Sequence, residues 1–139
     1  MQGCRAASAS ALNDPRMTPP DLPPTTDDAD DTDSRPVCVL VFNANDPSGA
    51  GGLAADITAV ASVGAHGLPV VTGTYARDSA EIFDHFDFDE EAVAEQARAL
   101  LEDVTVQAIK VGFIGAPENI SAVAEIASDY ADVPLIAYM

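Results

Sequence analysis

The residues whose types and spacing could do chemistry begin with the stretch NANDPSGAGGLAAD, residues 43–56. This stretch follows an apolar run and carries Asp46, Ser48 and Asp56 around a series of glycines and alanines. Glycine lets main-chain N–H groups approach a bound molecule closely, and a helix N-terminus favours hydrogen-bond acceptors and negative charge. We therefore predict a loop that holds a small polar or anionic molecule at the start of a helix, with Asp46 or Ser48 capping that helix.

Two well-known phosphate-binding loops fit this stretch poorly. A Walker-type loop needs a lysine directly after its last glycine, and no lysine lies near. The letters GAGGLA at 49–54 satisfy the dinucleotide pattern G-x-G-x-x-[GA], and Asp78 follows the next predicted strand, where a ribose-binding acid would fall. In that fold, however, the first glycine follows the strand almost at once, whereas four residues intervene here and Pro47 has no N–H to donate. An NAD(P)-binding Rossmann domain stays an alternative hypothesis.

Hydrophobic periodicity predicts alternating strands and helices from residue 37 onward. Leu53, Ile57 and Val60 recur at helical spacing, and Asp89 and Pro117 suit the starts of two further helices. Strands are predicted at 37–44, 67–76, 106–115 and 133–139, with a polar connection at 77–87. Parallel strands joined by helical crossovers form a sheet covered by helices on both faces, and ligands bind at the carboxyl ends of its strands. The loops after these strands should therefore meet at one rim.

The charge of the chain excludes some classes of partner. The net charge is −17, and after Pro36 there are 16 acidic residues against three basic ones. Nucleic acid and anionic membranes both require a concentrated basic face. We therefore expect neither as a partner, and a homodimer stays open.

Composition divides the chain at Pro36. Residues 1–36 hold most of the prolines and a run of aspartates, so we predict a disordered acidic tail there and one α/β domain at 37–139. Cys4 and Cys38 lie in the tail and in an apolar strand, a usage typical of a reducing cytoplasm. The cytoplasm is the expected location.

Beyond these patterns, the sequence resembles a known enzyme family. The stretch NANDPSGAGGLAADITAVASVGAHGLPVVTGTYA resembles the opening of the hydroxymethylpyrimidine and phosphomethylpyrimidine kinases of thiamine biosynthesis, in the ribokinase-like superfamily. Those enzymes carry Asp-Pro-Ser-Gly-Gly-Ala-Gly-Ile-Gln-Ala-Asp after their first strand, and their Lys-x-Gly-Met-Leu-Gly segment is similar to IKVGFIG here. The resemblance covers about residues 37–139. It implies an incomplete three-layer α/β/α ribokinase-like parallel sheet and the amino-terminal portion of a kinase.

The resemblance also implies which residues bind the substrate. Asp56 takes the position of the acid that hydrogen-bonds the aminopyrimidine, and Gly51 and Gly52 that of the small residues over which the ring lies. Gly112 and Phe113 match the pair that lines the same pocket. Asp46 and Ser48 are expected to organise the loop. Lys110 suits an ion pair beneath the sheet as well as a ligand contact.

Departures from the family pattern leave the substrate open. The family's substrate-contacting glutamine corresponds to Arg77, which donates hydrogen bonds but cannot accept them. Arg77 therefore suits a phosphate or solvent as well as a ring edge. Ala137-Tyr138-Met139 replaces the usual Asp-Pro-Val-Met of the last strand. A pyridoxal-type alcohol and a non-catalytic, ligand-binding remnant of the fold are therefore kept as alternatives.

The cofactors that the resemblance implies are ATP and Mg²⁺. In the family, the ATP site and the catalytic residue lie mainly in the carboxyl-terminal half, which has no counterpart in residues 1–139. Phosphoryl transfer depends on positioning and on neutralising charge around the nucleotide. We therefore expect the catalytic residue to lie beyond Met139 and the chain by itself to be inactive.

Overall fold

The computed structural model describes residues 35–138, which form a five-stranded sheet with three helices. The elements are β1 (Cys38–Asn45), α1 (Gly52–Ser62), β2 (His66–Arg77), β3 (Ile82–Asp87), α2 (Glu90–Leu101), β4 (Ala108–Val111), α3 (Glu118–Asp129) and β5 (Leu135–Ala137). The strand order is β3-β2-β1-β4-β5. All neighbours pair in parallel except β2 and β3.

Strand β1 lies at the centre of the sheet, and both of its faces are covered. Leu40 and Phe42, fully buried, point to one face and pack with residues of α2 and α3. Asn43 points to the other face and contacts α1. Alternation of side chains along the strand thus gives three layers, with α1 on one side and α2 and α3 on the other. This confirms the predicted fold.

The predicted connection at 77–87 is wrong, because much of it is strand β3, antiparallel to β2. The Asp78 carboxylate closes the turn before it by accepting from the N–H groups of Ala80 and Glu81 at 2.7 and 2.9 Å. These hydrogen bonds lower the pKa of Asp78. Acidic residues mask the strand pattern, since β3 is an edge strand and all its residues are exposed.

The helix starts follow prediction in α2 and depart from it in α1. Asp89 caps α2 by accepting from the N–H of Ala92 at 2.8 Å, and Pro117 directly precedes α3. No side chain caps α1, whose N-cap position is Gly51. The expected cap from Asp46 or Ser48 is therefore wrong, because the Asp46 carboxylate accepts from Ser48 and the Ser48 hydroxyl accepts from the N–H of Ala50 within the loop instead.

The predicted tail, residues 1–36, lies almost entirely outside the described residues. Cys38 is buried, as expected of a small core residue. Within 35–138, no helix has the length and apolar character needed to cross a membrane.

Candidate functional site

The loop between β1 and α1 is organised around the Asp46 carboxylate. Its Oδ1 accepts from the main-chain N–H of Ser48 at 2.9 Å and from the Ser48 hydroxyl at 2.7 Å. Its Oδ2 lies 3.2 Å from Nη1 of Arg77, whose Nε donates to the Asp78 carbonyl. Asp46 is only 4% exposed, so the loop closes over this group. Arg77 is thereby held against the loop.

These partners keep Asp46 ionised. The Ser48 hydroxyl lowers the pKa of Asp46 most; burial opposes this, and the Ser48 amide, Arg77 and the Gly51 amide lower it further. A carboxyl group with a depressed folded pKa stabilises the fold above its ordinary value of 3.8, and that contribution is lost as the pH falls through the folded pKa.

We expect Asp46→Asn to flatten the acid limb of the stability profile. The amide cannot ionise, so stability should fall less steeply than in the wild type below pH 3.8, while stability at pH 7 is already lower. Urea unfolding at several pH values measures both effects. Asp132→Asn, at an exposed position, serves as the control and should leave the profile unchanged; an identical acid limb in Asp46→Asn would contradict the assignment.

Asp56, on the second turn of α1, is bound by two donors through one oxygen. Its Oδ2 lies 2.5 Å from Nζ of Lys110 on β4 and 2.7 Å from Nδ2 of Asn43 on β1. The side chains of Asp56 and Lys110 remain 16% and 24% exposed. Within the described residues, no hydrogen bond reaches Oδ1 of Asp56. One acceptor oxygen is therefore left for a ligand.

Gly112 and Phe113 form the turn after β4. The N–H of Gly112 donates to the Phe42 carbonyl at 2.8 Å, and the Phe113 carbonyl accepts from the Thr72 hydroxyl at 2.6 Å. The Phe113 ring lies 5.1 Å from the ring of Tyr75, centre to centre. The ring of His85 meets it edge-on at 5.8 Å. An aromatic surface is thus fixed at the carboxyl end of the sheet.

A cavity of about 380 Å³ brings these groups together at the predicted rim. It is lined by Asn43, Gly51, Gly52, Ala55, Asp56, Tyr75, Lys110, Gly112, Phe113 and Tyr138. The wall thus contains five of the predicted site residues, whereas Asp46, Ser48 and Arg77 lie outside it. Parallel strands that end at one edge explain why residues far apart in sequence meet there.

Sequence reasoning missed Asn43, Tyr75 and Tyr138 as wall residues. A polar asparagine inside the apolar run VCVLVFNA was a signal for the first of them, because a buried amide needs partners. The two tyrosines carried no such signal. Burial raises the pKa of Tyr75, the carboxylates of Asp46 and Asp87 raise it further, and Arg77 lowers it.

The wall suits a flat, polar, heteroaromatic molecule. Gly51, Gly52 and Gly112 contribute main chain to the lining, Phe113 contributes an aromatic ring, and Asp56 contributes an acceptor. The volume is in the range of small-molecule sites.

The same residues do not fit a magnesium–nucleotide complex. No group of three or more His, Cys, Asp or Glu side chains among residues 35–138 could hold a metal ion. Arg77, Arg98 and Lys110 each lie within 4.0 Å of a carboxylate. No cationic cluster is therefore available in this part of the chain to neutralise a triphosphate.

Comparison with known proteins points to one family. The family model described as phosphomethylpyrimidine kinase matches residues 46–137. A hydroxymethylpyrimidine/phosphomethylpyrimidine kinase of Streptomyces coelicolor is 33% identical over 91 residues, which are 66% of this chain and 34% of that protein. The thiamine biosynthesis multifunctional protein ThiED of Corynebacterium glutamicum is 31% identical over 98 residues, 70% of this chain and 13% of that protein.

The fold is also shared with solved structures. A phosphomethylpyrimidine kinase of Clostridium difficile 630 superposes with a TM-score of 0.67 at 27% identity, covering 73% of this chain and 44% of that one. The chain thus spans about a third of the curated kinase from Streptomyces and less than half of the solved one.

Proposed function

The chain belongs to the phosphomethylpyrimidine kinase family, and from that premise we propose that it forms the substrate-binding part of an ATP-dependent kinase. The substrate is 4-amino-5-hydroxymethyl-2-methylpyrimidine, together with its monophosphate, in thiamine biosynthesis. The observation that carries the proposal is the cavity that Asp56 lines together with Phe113, Gly51 and Gly52. Family membership favours this function over an NAD(P)-binding domain.

Five residues of the wall are proposed to contact the pyrimidine ring. Oδ1 of Asp56 accepts a hydrogen bond from the exocyclic amine of the pyrimidine, and a site built to bond such a donor rejects analogues that lack it. The ring lies over Gly51 and Gly52, and Phe113 stacks on it beside Gly112. These contacts would orient the hydroxymethyl group for phosphorylation.

Arg77 is proposed to act on the substrate indirectly. Its guanidinium is engaged by Asp46 and by the Asp78 carbonyl, and it lies outside the cavity wall. By holding Asp46, it would fix the loop that leads into Gly51. Asp46 and Ser48 complete that support through their own hydrogen bonds.

ATP and Mg²⁺ are proposed to bind mainly through residues outside the described part of the chain, because the described residues do not fit them. When bound, ATP supplies the transferred phosphoryl group. Residues 35–138 bind and orient the alcohol. We accordingly propose that the 139-residue chain alone does not turn over substrate.

A pyridoxal-type alcohol is the second candidate substrate. By the resemblance, Arg77 takes the position of a glutamine that hydrogen-bonds the substrate ring in the family. Arg77 is paired with Asp46 and cannot accept a hydrogen bond, so it cannot replace that contact, and a substrate with a different ring edge fits this change.

A coupled ADP-release assay on the full-length gene product, with the pyrimidine alcohol and pyridoxal side by side, tests the proposal. We expect ADP release to depend on the pyrimidine alcohol and to exceed that with pyridoxal. Turnover of pyridoxal alone would transfer the assignment to the second candidate. Binding of the pyrimidine without ADP release would indicate a non-catalytic remnant, and absence of both would refute the kinase function.

A further inference from the structure

We propose that Asn43 is a positioning residue that decides which oxygen of Asp56 faces the substrate and that fixes the turn carrying Phe113. The inference rests on the proposed function, since it concerns the same cavity.

The Asn43 carboxamide makes three hydrogen bonds at the end of β1. Its oxygen accepts from the main-chain N–H of Ala44 at 2.9 Å and of Phe113 at 3.1 Å, and its nitrogen donates to Oδ2 of Asp56 at 2.7 Å. Main-chain N–H groups only donate and a carboxylate only accepts, so the orientation of the amide is fixed by its partners. Asn43 is 7% exposed, which strengthens these bonds by excluding water.

Close packing holds the carboxamide in place. A Cβ on Gly112 would overlap the amide nitrogen, the carbonyl carbon and the oxygen of Asn43. The glycine after β4 therefore makes the room that the asparagine fills. Asn43 connects three elements of the site in this way: β1, the turn at Phe113, and α1 through Asp56.

The consequence for Asp56 follows from the difference between its two donors. Lys110 reaches Oδ2 with a long, flexible side chain, whereas Asn43 is short and locked by packing. Asn43 thus holds Oδ2 inside the wall and leaves Oδ1 directed to the ligand. An asparagine whose only task was to accept from main-chain N–H groups would use its oxygen alone, whereas the nitrogen of Asn43 also donates a hydrogen bond to Asp56.

The test is Asn43→Asp, which is nearly isosteric with the wild type. A carboxylate can still accept from Ala44 and Phe113, but it cannot donate to Asp56 and places a like charge against it. The matched control is Asn45→Asp on the same strand, where the side chain is exposed and donates to the Thr74 hydroxyl at 3.2 Å.

The measured quantity is the ratio of affinities for the aminopyrimidine alcohol and for the analogue without the exocyclic amine, in the full-length gene product. We expect Asn43→Asp to lower this ratio about tenfold and Asn45→Asp to leave it unchanged, because a hydrogen bond to a charged group is worth about that factor or more. A merely structural asparagine would change thermal stability and leave the ratio alone. An unchanged ratio in Asn43→Asp would overturn the proposal.

Hydrogen exchange of the Phe113 amide provides a second, ligand-free measurement. Asn43→Ala should speed this exchange, whereas Asn43→Asp should keep it slow because an acceptor remains. Unchanged exchange in Asn43→Ala would overturn the role of Asn43 even if the wild type bound neither alcohol. Failure of the wild type to bind either alcohol would count against the proposed function, independently of the exchange result.

Discussion

Asp56→Ala is expected to weaken binding of the aminopyrimidine alcohol by about 10- to 100-fold in the full-length gene product. The substitution removes the acceptor for the exocyclic amine, and a hydrogen bond to a charged group contributes about 1.5–3 kcal/mol. It also leaves Lys110 without its carboxylate. Breaking a fully buried pair costs about 3–5 kcal/mol, and the partial exposure of this pair reduces the expected loss of stability to about 1–3 kcal/mol. Isothermal titration and urea unfolding measure the two effects.

Two further variants separate binding from stability. Combining Asp56→Asn with Lys110→Met removes both charges together, so stability should recover relative to Asp56→Ala while affinity stays low. Asp129→Ala, at an exposed residue at the end of α3, should change neither quantity by more than about 0.5 kcal/mol. Wild-type affinity in Asp56→Ala would show that the carboxylate does not contact the ligand.

Gly52→Ala is expected to be the most destabilising substitution in the loop, at about 2–4 kcal/mol. Gly52 has φ +62°, a left-handed conformation that costs an alanine about 1 kcal/mol. Its added Cβ would also overlap the Ala44 carbonyl and lie 2.9 Å from Cβ of Asp46, so the backbone must shift. Because Gly52 is the first residue of α1, the shift would displace Asp56 and lower substrate affinity as well.

Gly49→Ala is the matched control for this effect. Gly49 has φ +70°, but nothing lies within 4 Å of its added Cβ. It should therefore show only the conformational cost of about 1 kcal/mol, with affinity unchanged. Urea unfolding measures the loss of folding stability in each variant. Equal losses in Gly52→Ala and Gly49→Ala would mean that the close contacts of an added Cβ at Gly52 do not reduce stability.

Local patterns in the sequence were enough to predict much of the fold. The valine-rich runs predicted β1 and β2, and Asp89 marked the start of α2, because alternation, helical spacing and capping act between residues close in the chain. Strand β3 was missed because such local patterns do not report pairing between strands. Its pairing with β2 is a contact between strands, and its exposed, acid-rich sequence lacks the pattern of a buried strand.

The partners of the site residues could not be read from local patterns. The sequence pointed to Asp56 and Arg77 as substrate contacts and to Lys110 as either an ion-pair partner or a ligand contact, but it left open which carboxylate each cation would pair with. The fold pairs Arg77 with Asp46 and Lys110 with Asp56, so two candidate ligand contacts are engaged within the protein.

The sequence by itself determined the order of the four parallel strands and three helices, the family, and the glycine loop with its aspartates, but not the antiparallel strand β3. Only the tertiary structure decided that Asn43 packs against Gly112 and hydrogen-bonds both Asp56 and the Phe113 amide, because that arrangement depends on three elements meeting at the edge of one sheet. Hydrogen bonds over separations such as the 70 residues between Asn43 and Phe113 leave no periodic trace in the chain. They form when parallel strands bring their carboxyl ends side by side.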